Sequence, residues 1–168
     1  VEDSREGWRE LMSKVTGTLM CGGGIGVVYS KLRPEGSHIK GLGGKSTGPI
    51  ACMNMTNEVG RYVMQGGSRR SAIWAGLHWN HADVFKYLKM KDWSPAVKEC
   101  KSKDFSFPAP MELTNISVIL DDDFFEAYNN PSHRDYSLAK SVYWACIRSM
   151  METGEPGFSI DVGDNAGQ

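Results

Sequence analysis

No apolar run in this 168-residue chain approaches the roughly 18 residues that a membrane span needs, and nothing in it has the form of a signal peptide. An excess of one charge is missing too. With 19 Lys+Arg against 20 Asp+Glu and a formal net charge of −1, bulk attraction to DNA or another polyanion is excluded. The four cysteines, Cys21, Cys52, Cys100 and Cys146, form no Cys-x-x-Cys pair, so neither a zinc knuckle nor a redox pair is indicated. A chain of this size buries roughly 70% of its unfolded surface without staples, and reduced thiols in a cytoplasmic protein are expected. Internal repeats, low-complexity tracts and linkers are absent, so residues 1–168 read as one unit with no internal domain boundary. No nucleophile–base pair can be argued from spacing. With no initial methionine and no closing element, the sequence reads as a piece of something larger.

What is present is glycine, at 19 residues against a usual share of ~7%. Between the glycines, helix and strand patterns alternate. Asp3-Ser4 offers a cap for a helix carrying Trp8, Leu11, Met12, Val15 and Leu19. Gly22-Gly23-Gly24 ends it, and residues 25–29 follow as a short strand. Thr47 and Pro49 open a second helix through Met53 and Val59 to Val63. Residues 72–77 read as a buried strand, and Asn80 with Asp83 as the cap of a helix bearing Val84, Phe85 and Leu88. Residues 92–110 are polar, lysine-rich and punctuated by proline, the pattern of a long surface excursion. A strand at 114–120 runs into Asp121-Asp122-Asp123 and a short helix. A helix over about 137–152 ends at Gly154, and Phe158-Ser159-Ile160 begins another strand. The alternation predicts an α/β fold with largely parallel pairing.

Each candidate site has a bland reading beside the sharp one. Cys21-Gly22-Gly23-Gly24-Ile25-Gly26 lacks the third glycine of a dinucleotide fingerprint and follows a helix instead of a strand. It is either a structural turn or a place where backbone touches a ligand. Gly43-Gly44-Lys45-Ser46 lacks the leading glycine of a P-loop, because Ile39 stands there; a plain loop or an anion seat remains. Gln65-Gly66-Gly67-Ser68-Arg69-Arg70-Ser71 is either a solvated basic turn or an anchored loop offering guanidinium forks to a phosphate or a base. His78 and His81 have no third partner for a metal, and Asp121-Asp122-Asp123 is either a helix cap or a cation site.

Taken in order, these loops resemble the large catalytic subunit of ribonucleotide reductase. The resemblance rests on Glu2-Asp3-Ser4, Gly22-Gly23-Gly24-Ile25-Gly26, Leu32-Arg33-Pro34-Glu35-Gly36 and the run from Gly41 to Pro49. It continues through Gln65 to Ala72 and closes with Thr153-Gly154-Glu155-Pro156-Gly157. It spans essentially the whole chain. It implies that the chain is a portion, from the first half, of a ten-stranded α/β barrel. The Arg-Pro-Glu-Gly form, the Gly-Gly-Ser-Arg-Arg-Ser-Ala loop and the Trp79-Asn80-His81-Ala82-Asp83 stretch are most similar to the adenosylcobalamin-dependent class, so adenosylcobalamin is the expected cofactor. The diiron-dependent class is the alternative within the family. A non-catalytic nucleotide-binding or assembly module derived from the barrel is the alternative outside it, and an unrelated α/β domain would need the ordered glycine motifs to coincide by chance.

The resemblance also implies roles. Asp3, Ser4, Arg33, Lys40, Gln65 and Ser68 match positions that hold a deoxynucleoside triphosphate effector. Gly23, Gly24, Arg69, Ser71 and Ala72 match positions that face the ribonucleotide substrate, with Arg69 reporting effector identity to the substrate base. The helices of residues 4–20 and 50–64 are the candidate faces of a homodimer of the full chain. The reaction so implied replaces the ribose 2′-hydroxyl by hydrogen through a thiyl radical, with a thiol reductant such as thioredoxin restoring the enzyme. The catalytic cysteines would lie upstream of Val1 and downstream of Gln168, which leaves the four cysteines here as spectators and the piece alone inactive. Neither direct DNA binding nor membrane association is expected.

Overall fold

The computed structural model describes residues 1–39, 41, 43–63 and 71–163. Among these residues four parallel strands form one sheet in the order β1-β2-β3-β4: β1 Gly24–Val28, β2 Ala72–His78, β3 Thr114–Asp121 and β4 Gly157–Asp161. Helix α1 (Arg5–Met20) precedes the sheet, and α2 (Gly48–Tyr62) joins β1 to β2. Helices α3 (Val84–Leu88) and α4 (Pro95–Lys103) lie between β2 and β3, and α5 (Asp122–Asn129) and α6 (Tyr136–Thr153) between β3 and β4. The expected α/β alternation is what the chain adopts. Among the described residues no helix is long and apolar enough to cross a membrane.

Local chemistry accounts for the element ends. The Ser4 hydroxyl accepts the Gly7 N–H at 2.9 Å and caps α1. At the other end Gly22 takes φ +84°, with Gly22 N–H donating to Leu19 O and Gly23 N–H to Thr18 O, a closure that satisfies carbonyls left open by the last turn. Pro49 sits in the first turn of α2, where its missing N–H costs nothing. Thr47 makes no capping bond. The cap expected from Asp83 is also absent: its carboxylate accepts the Glu35 N–H at 2.8 Å instead and ties the β1–α2 loop to α3. Asp121 does cap α5, through the Phe124 N–H at 2.9 Å. The polar excursion over 92–110 carries α4, which Ser94 caps. None of the α4 residues is buried, so no apolar period marked the helix in the sequence.

The sheet has two unlike faces. Val27, Ile73, Ala75, Leu77, Ile116, Val118 and Leu120 are buried in one core with Leu11, Val15 and Leu19 of α1, Met53 of α2 and Val142 of α6. The alternate positions form the second face. There Trp74 pairs in register with Gly26 and Asn115, Gly76 with Val28 and Ser117, and Asp121 with Asp161. Apart from Gly76 and Ile119, this second face is exposed or half-buried. The period of two places one whole set of side chains away from the helices.

Candidate functional site

Beyond the C-terminal end of β1 the chain turns back on itself before α2. Gly36 N–H donates to Ser46 O and Ser46 N–H to Ser37 O, both at 2.8 Å, and Ile39 N–H reaches Gly44 O at 2.9 Å. His38 and Lys45 form an antiparallel bridge. The base of this loop is fixed from the other side by His81. Its buried Nε2 donates to Leu32 O at 2.8 Å while Nδ1 accepts the Asp83 N–H. The loop is therefore held at its root and along its ladder, and it walls a cleft of about 690 Å³ against the N-terminus of α1.

Three of the expected effector residues meet in that cleft. Asp3 and Ser4 lie on the α1 side and Arg33 on the loop side, with Lys45, Ser46 and Thr47 completing the wall. Arg33 Nε donates to Asp3 Oδ2 at 2.6 Å, with both side chains about one-third exposed. The Ser4 oxygen is engaged by its capping bond, which leaves its hydroxyl proton to donate. First-turn N–H groups, the positive end of a 16-residue helix and the Arg33 and Lys45 cations make the cleft suited to an anion. Asp3 and Glu6 line it as well, so a phosphate there would compete with Asp3 for Arg33. Lys40, Gln65, Ser68 and Arg69 lie outside the described residues.

Gly23, Gly24, Ser71 and Ala72 sit at the opposite end of the sheet, where β1 and β2 begin side by side with Gly24 opposite Ala72. Local packing alone demands small residues there. A Cβ on Gly23 would come within 2.9 Å of Thr18 Cγ2, and one on Gly24 within 3.2 Å of Ala72 Cβ. The Ser71 hydroxyl donates to Gly60 O and pins the start of β2 to the last turn of α2. The structure thus brings Asp3, Ser4 and Arg33 to one cleft and Gly24 beside Ala72, and it places the two groups at opposite ends of β1.

The second face of the sheet holds Trp74 and Ser117, which sequence reasoning did not single out, beside His78 and Asp121, which it weighed only as metal ligands or a cap. Trp74, expected in a buried strand, lies half-exposed on this face, and its indole N–H donates to Ser117 Oγ at 2.9 Å. Beyond it, at the C-terminal ends of β2 and β3, His78 Nε2 meets Asp121 Oδ2 at 2.8 Å and Trp79 Nε1 donates to Asp121 Oδ1 at 2.9 Å. Burial alone would raise the Asp121 carboxyl, but hydrogen bonds from Phe124 N–H, Trp79 and His78 outweigh it and hold the group below its ordinary range. His78 and His81 point to different partners, so they do not converge. The signal for this face was the alternation Asn115, Ser117 in β3, matched in register by Trp74 and Gly76.

The thiols differ in setting. Burial pushes Cys52 up to about 11 and Cys146 up to about 12, while Cys21 and Cys100 are exposed. A thiol held that high carries no thiolate at neutral pH and is a poor nucleophile.

The ribonucleotide reductase barrel-domain family matches residues 1–152 of the chain. Curated relatives include the ribonucleoside-diphosphate reductase large chains of Cryptosporidium parvum, 27% identical, and of Schizosaccharomyces pombe, 28% identical. Each alignment covers 92% of this chain and 22% of the relative. The large subunit from vaccinia virus is 28% identical over 93% of this chain and 23% of its own length. The chain thus spans less than a quarter of the length of these relatives. Among solved structures, the alpha subunit of the class Id ribonucleotide reductase of Actinobacillus ureae superposes with a TM-score of 0.73 at 17% identity, over 96% of this chain and 26% of that one.

These findings correct the expectation of adenosylcobalamin. The relatives are ribonucleoside-diphosphate reductase large chains and the structural neighbour is of class Id. Two of the motifs that suggested the cofactor, Arg33-Pro34-Glu35-Gly36 and Trp79-Asn80-His81-Ala82-Asp83, have structural tasks, while most of the third, residues 66–70, lies outside the described residues. Arg33 pairs with Asp3, the Glu35 N–H is held by Asp83, and His81 holds the Leu32 carbonyl. Such bonds shape the loop whatever the cofactor, so they do not report on it. The fold is a portion of that barrel, and the chain belongs to the ribonucleotide reductase barrel-domain family.

Proposed function

We propose that this chain is the effector- and substrate-contacting portion of a ribonucleotide reductase large subunit of the two-subunit class. The parent reduces ribonucleoside diphosphates to their 2′-deoxy forms in the cytoplasm. The observation that carries this reading is the cleft in which Asp3 and Arg33 meet between the α1 N-terminus and the paired segments 36–39 and 43–46. It offers a guanidinium, an ammonium and the positive end of α1 at one place, a setting that suits the phosphates of a nucleoside triphosphate effector.

In this reading Arg33 exchanges part of its Asp3 contact for an effector phosphate, and Lys40 joins it. Gln65, Ser68 and Arg69 relate the effector to the substrate base. Gly23 and Gly24, with the small residues Ser71 and Ala72, form a wall that lets the ribose approach backbone. Residues 1–168 act as one unit, with α1 and α2 supplying the face for a second copy of the full chain. The radical and the reducing thiols come from outside this segment, in part from a small subunit, and a thiol reductant such as thioredoxin closes the cycle. The segment alone does not turn over.

The test is reduction of cytidine diphosphate by the full-length chain with its small subunit, with and without a deoxynucleoside triphosphate. Turnover stimulated by effector supports the reading. A full-length protein that binds nucleotide and reduces none identifies a binding module instead.

A further inference from the structure

Trp74 has an unusual setting for a tryptophan in the second strand of a four-stranded sheet. Its side chain is on the face away from the helical core, and it lies down along that face. A Cβ built on Gly76, two residues on, would come within 2.5 Å of Trp74 Cη2, and one on Gly26 of the neighbouring strand within 3.3 Å of Cε3. The ring therefore lies over β2 itself and reaches toward β1. Its edge is fixed on the third strand, where the indole N–H donates to Ser117 Oγ at 2.9 Å. A half-exposed indole with its only polar atom satisfied by the protein presents a flat apolar surface and no unmet donor.

Position gives this surface a use. Ala72 and Gly24 are the preceding same-face neighbours of Trp74 and Gly26. They are two of the residues proposed above to face the substrate ribose. The ring plane is thus the next surface that a molecule entering over Gly24 and Ala72 would meet.

We infer that Trp74, held flat by Ser117, is a substrate-positioning residue whose ring forms the floor beside the Gly24–Ala72 ribose wall and fixes how deep the ribonucleotide sits. This rests on the reductase reading. The ring makes van der Waals contact and keeps water from the sheet surface, and it takes no part in proton or electron transfer. Ser117 acts through the ring by setting its angle.

The experiment uses the full-length parent with its small subunit and cytidine diphosphate as substrate. Trp74→Phe keeps an aromatic floor but loses the N–H anchor, and Ser117→Ala frees the indole. Both are expected to raise KM about five- to tenfold with kcat changed less than about twofold, since they loosen ground-state positioning and spare the reacting groups. Addition of cytidine diphosphate to wild type should change tryptophan fluorescence, and that change should be absent in Trp74→Phe. A purely structural role for the ring would lower the thermal midpoint without moving either readout. An unchanged KM in Ser117→Ala, or a substrate-induced fluorescence change that persists in Trp74→Phe, overturns the inference while wild-type turnover leaves the reductase reading standing. Absence of turnover in wild type overturns both. If Trp74→Phe fails to fold, Ser117→Ala decides by its KM.

Discussion

The Asp3 carboxylate and the Arg33 guanidinium, 30 residues apart in sequence, meet at 2.6 Å across the mouth of the α1 cleft. The pair is about one-third exposed on each side, so its own contribution to stability is at most ~1 kcal/mol. Its interest lies in what the cation does when an anion arrives. Arg33→Ala in the full-length parent should weaken effector binding about tenfold or more, the scale of a lost charge-assisted hydrogen bond of ~1.5–3 kcal/mol. Basal reduction without effector should change little. Equilibrium binding of a deoxynucleoside triphosphate checks this, and an unaltered Kd removes Arg33 from the effector site.

Glycines 36 and 48 both have positive φ, yet they should not be equivalent. A Cβ on Gly36 meets nothing within 4 Å, whereas one on Gly48 comes within 2.8 Å of the Glu35 backbone nitrogen. Gly36→Ala should cost only the left-handed backbone penalty of ~1–2 kcal/mol. Gly48→Ala should add ~1–3 kcal/mol of overpacking, because the neighbour is backbone and cannot rotate away. Urea denaturation of the two variants gives the comparison, and equal losses would show that the α2 entrance can relax.

Gly24→Ala tests the ribose wall with a cost attached. Its Cβ would press on Ala72 at 3.2 Å, so a stability loss of about 1 kcal/mol is expected from the β1–β2 contact alone. The ribose reading adds a rise in KM for the ribonucleoside diphosphate that a stability change does not explain. A normal KM in the folded variant confines Gly24 to packing.

Asp121 gives the fold a pH dependence of known sign. Its folded pKa is depressed, so its stabilisation is complete above the unfolded value of ~3.9 and is lost as pH falls through the folded one. Asp121→Asn should flatten the loss of stability below about pH 4. It should also weaken the α5 cap and the contacts to Trp79 and His78 at neutral pH. Denaturation curves from pH 3 to 7 decide, and an unchanged acid slope assigns that titration elsewhere.

The thiols should separate cleanly. With Cys21 and Cys100 exposed and Cys52 and Cys146 buried, a thiol reagent should label the first pair quickly in the native state and the second only on unfolding. Rapid native labelling of Cys146 would contradict its burial against the core.

What was legible in the sequence was whatever depends on near neighbours. Ser4 capping α1, Pro49 in the first turn of α2, Asp121 capping α5 and Gly154 closing α6 with φ +80° are all local choices. Helix α4 was not legible because it buries nothing, and a helix without an apolar face leaves no period to read. Asp83 looked like a cap because its local sequence allows one; the Glu35 N–H, 48 residues away, takes its carboxylate. The orientation of Trp74 was hidden for the same reason. An apolar run over 72–77 reads as buried on both faces; only the fold shows that Ile73 and Ala75 face the core and leave Trp74 on the open face, where Ser117 of the adjacent strand sets the angle of the indole. The pairing of Asp3 with Arg33 also needed the fold, although both residues had been singled out by resemblance.

The most direct measurement is reduction of cytidine diphosphate by the full-length chain, with and without its small subunit and in the absence of any cobalamin. 2′-Deoxy product is expected only when the small subunit is present, raised by a deoxynucleoside triphosphate, with that stimulation lost in Arg33→Ala. Product that forms without the small subunit would contradict the two-subunit assignment. No product under any of these conditions would contradict the reductase reading itself.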